Sequence, residues 1–105
     1  MASEYYKGTD LKVQISISAE GFDQEDNNYD IDVYCGEEVK HYNQDNVVSD
    51  GEGHYLLPLP TEELSAGKIT LVITAYVPDA DFADYGGIRK EVSAPIKIGV
   101  LKEII

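Results

Sequence analysis

The chain has 105 residues, 43% hydrophobic and 27% charged, with no low-complexity tract, which is the length and balance of one folded domain, residues 1–105, built on one core. Eight lysines and arginines against 20 aspartates and glutamates leave a formal charge of −12, so a phosphate backbone or an anionic lipid surface meets repulsion, and neither nucleic acid nor membrane is an expected partner. No run is apolar for long enough to cross a bilayer, the opening Met1 to Lys7 lacks the basic start and apolar stretch of a secretory signal, and the lone Cys35 permits no internal disulfide; synthesis in a reducing cytosol is the setting that fits.

In chain order, residues 1–8 read as an amino-terminal arm, and Leu11 to Ser18 alternates apolar and polar residues along its whole length, the signature of a strand with one buried face. Tyr29 to Cys35 alternates in the same way, with Ile31, Val33 and Cys35 on one face and Asp30, Asp32 and Tyr34 on the other; Cys35 is expected as a small core residue. Gly36-Glu37 turns the chain into Glu38 to Tyr42 as a hairpin partner. After Val47-Val48 and the turn-rich Ser49 to Gly53 comes a strand from His54 to Leu59, which its proline places at an edge or a strand end. Thr61 to Gly67 fits one helical turn at a corner, with Thr61 as its cap. Lys68 to Val77 is the longest strand, with Ile69, Leu71, Ile73 and Ala75 inward, and Ile88 to Val92 and Ile96 to Leu101 follow. About seven short strands with no crossover helices imply an all-β, immunoglobulin-like antiparallel β-sandwich, although the cysteine and tryptophan pattern of antibody domains is absent.

Chemistry-bearing patterns are sparse. His41 and His54 lie in predicted strands with no nucleophile turn nearby, and there is no phosphate-cradling glycine loop or zinc-type ligand pairing, so no catalytic residues and no cofactor are expected. Two acidic loops, Asp23 to Asn27 and Asp79 to Asp84, place carboxylates at the alternating positions a hard cation uses. Asp79, Asp81 and Asp84 are the metal candidates, though neither loop follows the EF-hand pattern: counted from Asp23, its glycine and glutamate positions hold Asn28 and Tyr34. Eight tyrosines accompany two phenylalanines and no tryptophan, a bias toward rings that bring a hydroxyl to a contact surface. Tyr29 and Tyr55 are expected in the core. Tyr5, Tyr6, Asp79, Asp81, Phe82 and Tyr85 stand outside the predicted strands and are the expected protein-contact residues.

Lys7-Gly8-Thr9-Asp10-Leu11 entering the first strand, and Tyr55 to Gly67 with its Leu57-Pro58 and Thr61-x-x-Leu64-x-x-Gly67 spacing, resemble the small immunoglobulin-like domains of tailed-phage virion proteins, such as the amino-terminal domain of baseplate upper proteins. Val77 to Phe82 followed by Arg89 to Val92 looks like versions in phages of Bacteroides-type hosts, including the crAss-like group. The resemblance implies a non-enzymatic structural protein made in the host cytoplasm and carried in the virion, whose partners are other capsid or tail proteins; a homo-oligomer is compatible with it. Baseplate proteins of this kind continue into long receptor-binding regions, whereas this chain ends just after its last predicted strand, so a capsid decoration or head-fibre protein is expected ahead of a tail or baseplate component. The competing reading is a bacterial adhesion or carbohydrate-binding module of the same architecture, with Tyr34, Tyr42 and Tyr76 as its aromatic platform.

Overall fold

The computed structural model describes residues 3–103, which form nine strands. These are β1 (Glu4–Tyr6), β2 (Asp10–Gln14), β3 (Tyr29–Cys35), β4 (Glu38–Asn43), β5 (Val48–Ser49), β6 (Tyr55–Pro60), β7 (Gly67–Pro78), β8 (Ile88–Val92) and β9 (Ile96–Lys102). Short 3-10 turns occupy Gln44–Asn46, Thr61–Glu63 and Ala80–Tyr85. One sheet runs β1-β9-β7-β3-β4, with β8 also on β7; the other runs β2-β6-β5. They stack as an open, sandwich-like pair around one cluster of buried side chains.

β7 is the spine of the larger sheet. Its β-favouring residues alternate without a break, and Ile69, Leu71, Ile73, Ala75 and Val77 are all buried. β3 pairs with it from Ile69 to Ala75 and adds Tyr29, Ile31, Val33 and Cys35 to the same face. β6 contributes Leu57 and Leu59 from the opposite sheet, and Leu64 and Leu101 close the ends. Each such leucine, isoleucine or valine taken fully out of water is worth about 1.5–3 kcal/mol.

The other edge of β7 is shared. β9 pairs with Gly67 to Leu71 and β8 with Thr74 to Pro78. Ser93 still holds Ile73, donating its amide to the Ile73 carbonyl at 2.8 Å and accepting the Ile73 amide on Oγ at 2.9 Å. Pro95 then has no N–H to give, and because Thr74 faces Val92 while Leu71 faces Ile96, three residues (93–95) oppose two (72–73). This bulge divides one strand path into two.

Several expectations change. The sheet is mixed, because β1 runs parallel to β9, with Tyr5 opposite Leu101; the antiparallel expectation fails there because the two strands are the first and last and no tight turn joins them. Part of the expected arm is thus a ladder strand. Gly99 makes room for it: a Cβ there would lie 2.5 Å from the Ser3 carbonyl oxygen and 2.8 Å from the Tyr5 ring. The first predicted strand, Leu11 to Ser18, stops pairing early. Beyond Gln14 the Gln24 carboxamide stands in for a neighbouring strand, donating to the Ile15 carbonyl at 2.9 Å and accepting the Ile17 amide at 3.1 Å.

β6 is the middle strand of its sheet rather than an edge, yet Pro58 costs no ladder bond. Ile15 donates to the Tyr55 carbonyl and Thr61 to that of Thr9, so the residues of β6 bonded to β2 are the odd-numbered ones, and β5 reaches only to Leu56. The nitrogen of Pro58 therefore faces an unpaired edge.

Thr61 does not cap its turn; Pro60 occupies the cap position, without a side-chain bond. Thr61 is fully buried, and its hydroxyl donates to the Thr9 carbonyl at 2.7 Å and accepts the Gly8 amide at 2.9 Å. It pins the turn between β1 and β2 to the β6–β7 corner. On the far side of that corner Cys35, buried as expected, donates its thiol to the Ser65 carbonyl at 2.7 Å. Burial, and to a smaller degree the Glu38 carboxylate, hold that thiol above its ordinary pKa.

Thr61→Val keeps the shape, strands the Gly8 amide without its partner and leaves the Thr9 carbonyl with the backbone amide of residue 61 alone. We expect a loss of about 1–3 kcal/mol in urea unfolding with an unchanged m-value; wild-type stability would show that water replaces the hydroxyl.

Candidate functional site

The outward face of the larger sheet, at the end where β7 hands over to β8, carries the most distinctive surface. Asp79 leaves β7 extended and caps the 3-10 turn Ala80–Tyr85, its Oδ1 accepting the Asp81 amide at 3.0 Å. Gly86 ends the turn with φ +79° and Gly87 follows at +72°, a left-handed pair that side chains disfavour. This lets the Gly87 amide reach the Phe82 carbonyl at 2.8 Å and the Asp79 amide reach the Gly87 carbonyl at 2.9 Å.

Arg89 locks the loop. Its Nε donates to Asp79 Oδ2 at 3.0 Å, one terminal nitrogen bonds Glu91, and the other reaches the Glu20 carbonyl at 2.9 Å. Arg89 and Glu91 stand in register with the buried Val77 and Ala75, on the inward face of β8. Charged groups persist there because the three-stranded sheet is too narrow to cover that flank, which the Ser16 to Gly21 segment meets.

The clamped loop holds apolar area in water. Phe82 and Tyr85 stack at 6.1 Å with a 55° tilt, and Tyr85 is 77% exposed. With Ile88, Arg89 and Lys90 they line an open cleft of about 640 Å³. Ile88 joins it to a second, polar cleft of about 370 Å³ between β3, β4 and β7, lined by Asn28, Asp30, Asn43, Gln44 and Tyr76. Tyr76 donates its hydroxyl to Asp30, which raises the pKa of the phenol. The Lys90 ammonium sits 5.9 Å from the centre of its ring.

The predicted contact residues divide between two ends of the molecule. Asp79, Asp81, Phe82 and Tyr85 share the clamped loop. Tyr5 and Tyr6 lie level with the start of β7, since Leu101 pairs with both Tyr5 and Gly67; at about 3.3 Å per residue they are some 40 Å from that loop. Tyr5 is half-buried against the core, and Tyr6 is 59% exposed. The aromatic platform does not assemble. Tyr42 pairs with inward-facing Ile31 and packs on the core, Tyr55 is half-buried while Tyr29 is fully buried, and Tyr34 is level with Thr70, about 20 Å along β7 from Tyr76.

The acidic loops use their carboxylates internally. Asp23 accepts the Glu25 amide at 3.0 Å, and Asp79 is taken by Asp81 and Arg89. Among the described residues Asp79, Asp81 and Asp84 do not converge as metal ligands; the one such group of three is Asp50, Glu52 and His54, all exposed, with ligand-type atoms within 4.8 Å of one another. The turn-rich Ser49 to Gly53 carries, with His54, the alternation Asp50-x-Glu52-x-His54, the signal in the sequence for this cluster. That alternation staples the turn: Asp50 accepts the Glu52 amide at 2.7 Å, the His54 amide at 3.2 Å and the His54 ring at 2.7 Å. His41 is likewise tied to Asp32 at 2.6 Å. No helix among the described residues is long and apolar enough to cross a membrane.

No protein-family model matches the chain, and no curated protein or solved structure does either.

Arg89→Ala should speed amide exchange across residues 80–85 while the β3–β7 ladder keeps its protection; an unchanged loop would show that the Asp79–Gly87 closure suffices. Bonds from Glu52 and His54 hold the Asp50 carboxyl below its ordinary pKa. The stapled turn is therefore fully favoured above the ordinary aspartate range and loses that support as pH falls through the lowered native value. An NMR titration of the Glu52 and His54 amides should show a midpoint below that of a model aspartate.

Proposed function

We propose that the chain is a non-enzymatic, immunoglobulin-like structural protein of a tailed-phage virion, a capsid decoration or head-fibre protein that acts through protein contacts. Strand order supports the fold assignment. β2, β6 and β5 take the places of strands B, E and D, and β4, β3, β7 and β9 those of C′, C, F and G, the two-sheet arrangement of immunoglobulin domains. The stretches that carry the phage resemblance, Lys7 to Leu11 and Tyr55 to Gly67, are neighbours in space, joined through Thr61 to Gly8 and Thr9. That is consistent with a motif whose work is architectural.

The observation that carries the contact role is the Phe82–Tyr85 pair. A tilted aromatic pair, Tyr85 exposed and Phe82 half-buried, on a capped, arginine-clamped loop offers preorganised apolar area, so little side-chain and loop entropy remains to be lost when a partner covers it. The excess of carboxylates favours a partner surface with positive charge at its rim.

Mass spectrometry of purified particles is expected to find the protein, and particles lacking it should retain added protein on sedimentation. The double variant Phe82→Ser/Tyr85→Ser should lose about tenfold or more in retention, while Tyr34→Ser on the sheet face behaves as wild type. Absence from every particle overturns the virion assignment, and full retention of the double variant moves the contact elsewhere.

A further inference from the structure

The polar cleft beside the clamped loop has features that protein contact does not require. Its floor joins the half-buried ring of Tyr76 to Ile88, and its walls are three carboxamides and a carboxylate whose bonding is half used. Asn43 commits its oxygen to the Asp45 amide at 2.9 Å, and Gln44 commits its oxygen to the Tyr29 amide at 3.1 Å. Each oxygen is held by the backbone, so each NH2 is left to donate outward from a fixed position. Asp30 gives Oδ2 to the Tyr76 hydroxyl and retains Oδ1 as an acceptor. Asn28 is exposed at the rim; its backbone carbonyl takes the Tyr76 amide at 3.0 Å, and its side chain makes no hydrogen bond to the described residues.

The cleft therefore sets preoriented donors and one strong acceptor around an apolar ring. Vicinal hydroxyls both donate and accept, and the C–H face of a pyranose packs on an aromatic ring, so this is the complement of a sugar. The Asp30 carboxylate and the −12 chain disfavour an anionic sugar. We propose that the cleft formed by Asn28, Asp30, Asn43, Gln44, Tyr76 and Ile88 binds a neutral saccharide. This goes beyond the virion reading and stands or falls separately from it, because the residues that bind sugar are not the Phe82–Tyr85 pair.

The test is an NMR titration of the isotope-labelled full chain with methyl glucoside, methyl galactoside and N-acetylglucosamine, and with glucuronate as the anionic comparison. At least one neutral sugar should shift the side-chain amides of Asn28, Asn43 and Gln44. The open cleft predicts weak binding, about millimolar, with glucuronate about tenfold weaker or worse. Asn28→Ala, which breaks no bond within the described fold, should weaken binding about tenfold, the loss of one good hydrogen bond. Asp30→Asn should relieve the discrimination against glucuronate, and Tyr34→Ala should bind as wild type. No shifts with any neutral sugar, shifts centred on Tyr34, equal binding of glucuronate, or wild-type binding by Asn28→Ala would each overturn the proposal.

Discussion

Everything in the larger sheet is hung on β7. One strand of twelve residues supplies five buried side chains and pairs directly with β3, β8 and β9, through which β4 and β1 join the sheet. A strand paired on both sides must present an unbroken row of amides and carbonyls, and β7 does so while β8 and β9 divide its outer edge between them. The bulge at Ser93 to Pro95 is the cost of that division. Arg89 and Glu91 of β8 stand opposite buried Val77 and Ala75, on a face that is apolar elsewhere along β7. The clamp on the Asp79 loop thus follows from the sheet's width: a three-stranded layer cannot roof a six-stranded one, and the uncovered flank admits an ion network.

The same geometry sets the two surface features side by side. The loop and the polar cleft lie on one end of one sheet because Ile88, the first residue of β8, belongs to both. The loop is closed by two glycines and an arginine, and the Asn43 and Gln44 oxygens are held by the Asp45 and Tyr29 amides. Preorganisation of both lowers the entropy that a ligand or partner must overcome, whichever of them arrives.

Much of this was legible in the sequence, for a physical reason. β3 and β7 were read nearly residue for residue because both faces of each strand have a definite environment, and strict alternation records it. Cys35 was placed correctly by the same alternation. What escaped were features in which a side chain replaces backbone or a partner lies at the other end of the chain. Gln24 ends the β2 ladder by imitating a strand, and no periodicity announces that. The parallel pairing of Glu4 to Tyr6 with Val100 to Lys102 spans nearly the whole chain, although Gly99, a lone glycine inside an apolar strand, was a visible sign of close backbone approach. Thr61 has the type and position of a cap, whereas burial gives its hydroxyl a longer-range task. The loop and its neighbouring cleft are half legible: exposed aromatics in a turn-rich loop can be read directly, but the cleft draws on β3, β4, β7 and β8 and exists only once they are folded together.

The β1–β9 pairing has a mechanical side. Because the two strands run the same way, a pull on Ser3 directed against a pull on Glu103 would draw them past each other along their length. The bonds from Val100 to the Ser3 carbonyl and from Lys7 to the Lys102 carbonyl, each 2.8 Å, would then bear load together in shear rather than open one by one like a zipper. A domain laced in this way resists being stretched end to end far better than it resists having one strand peeled from its edge.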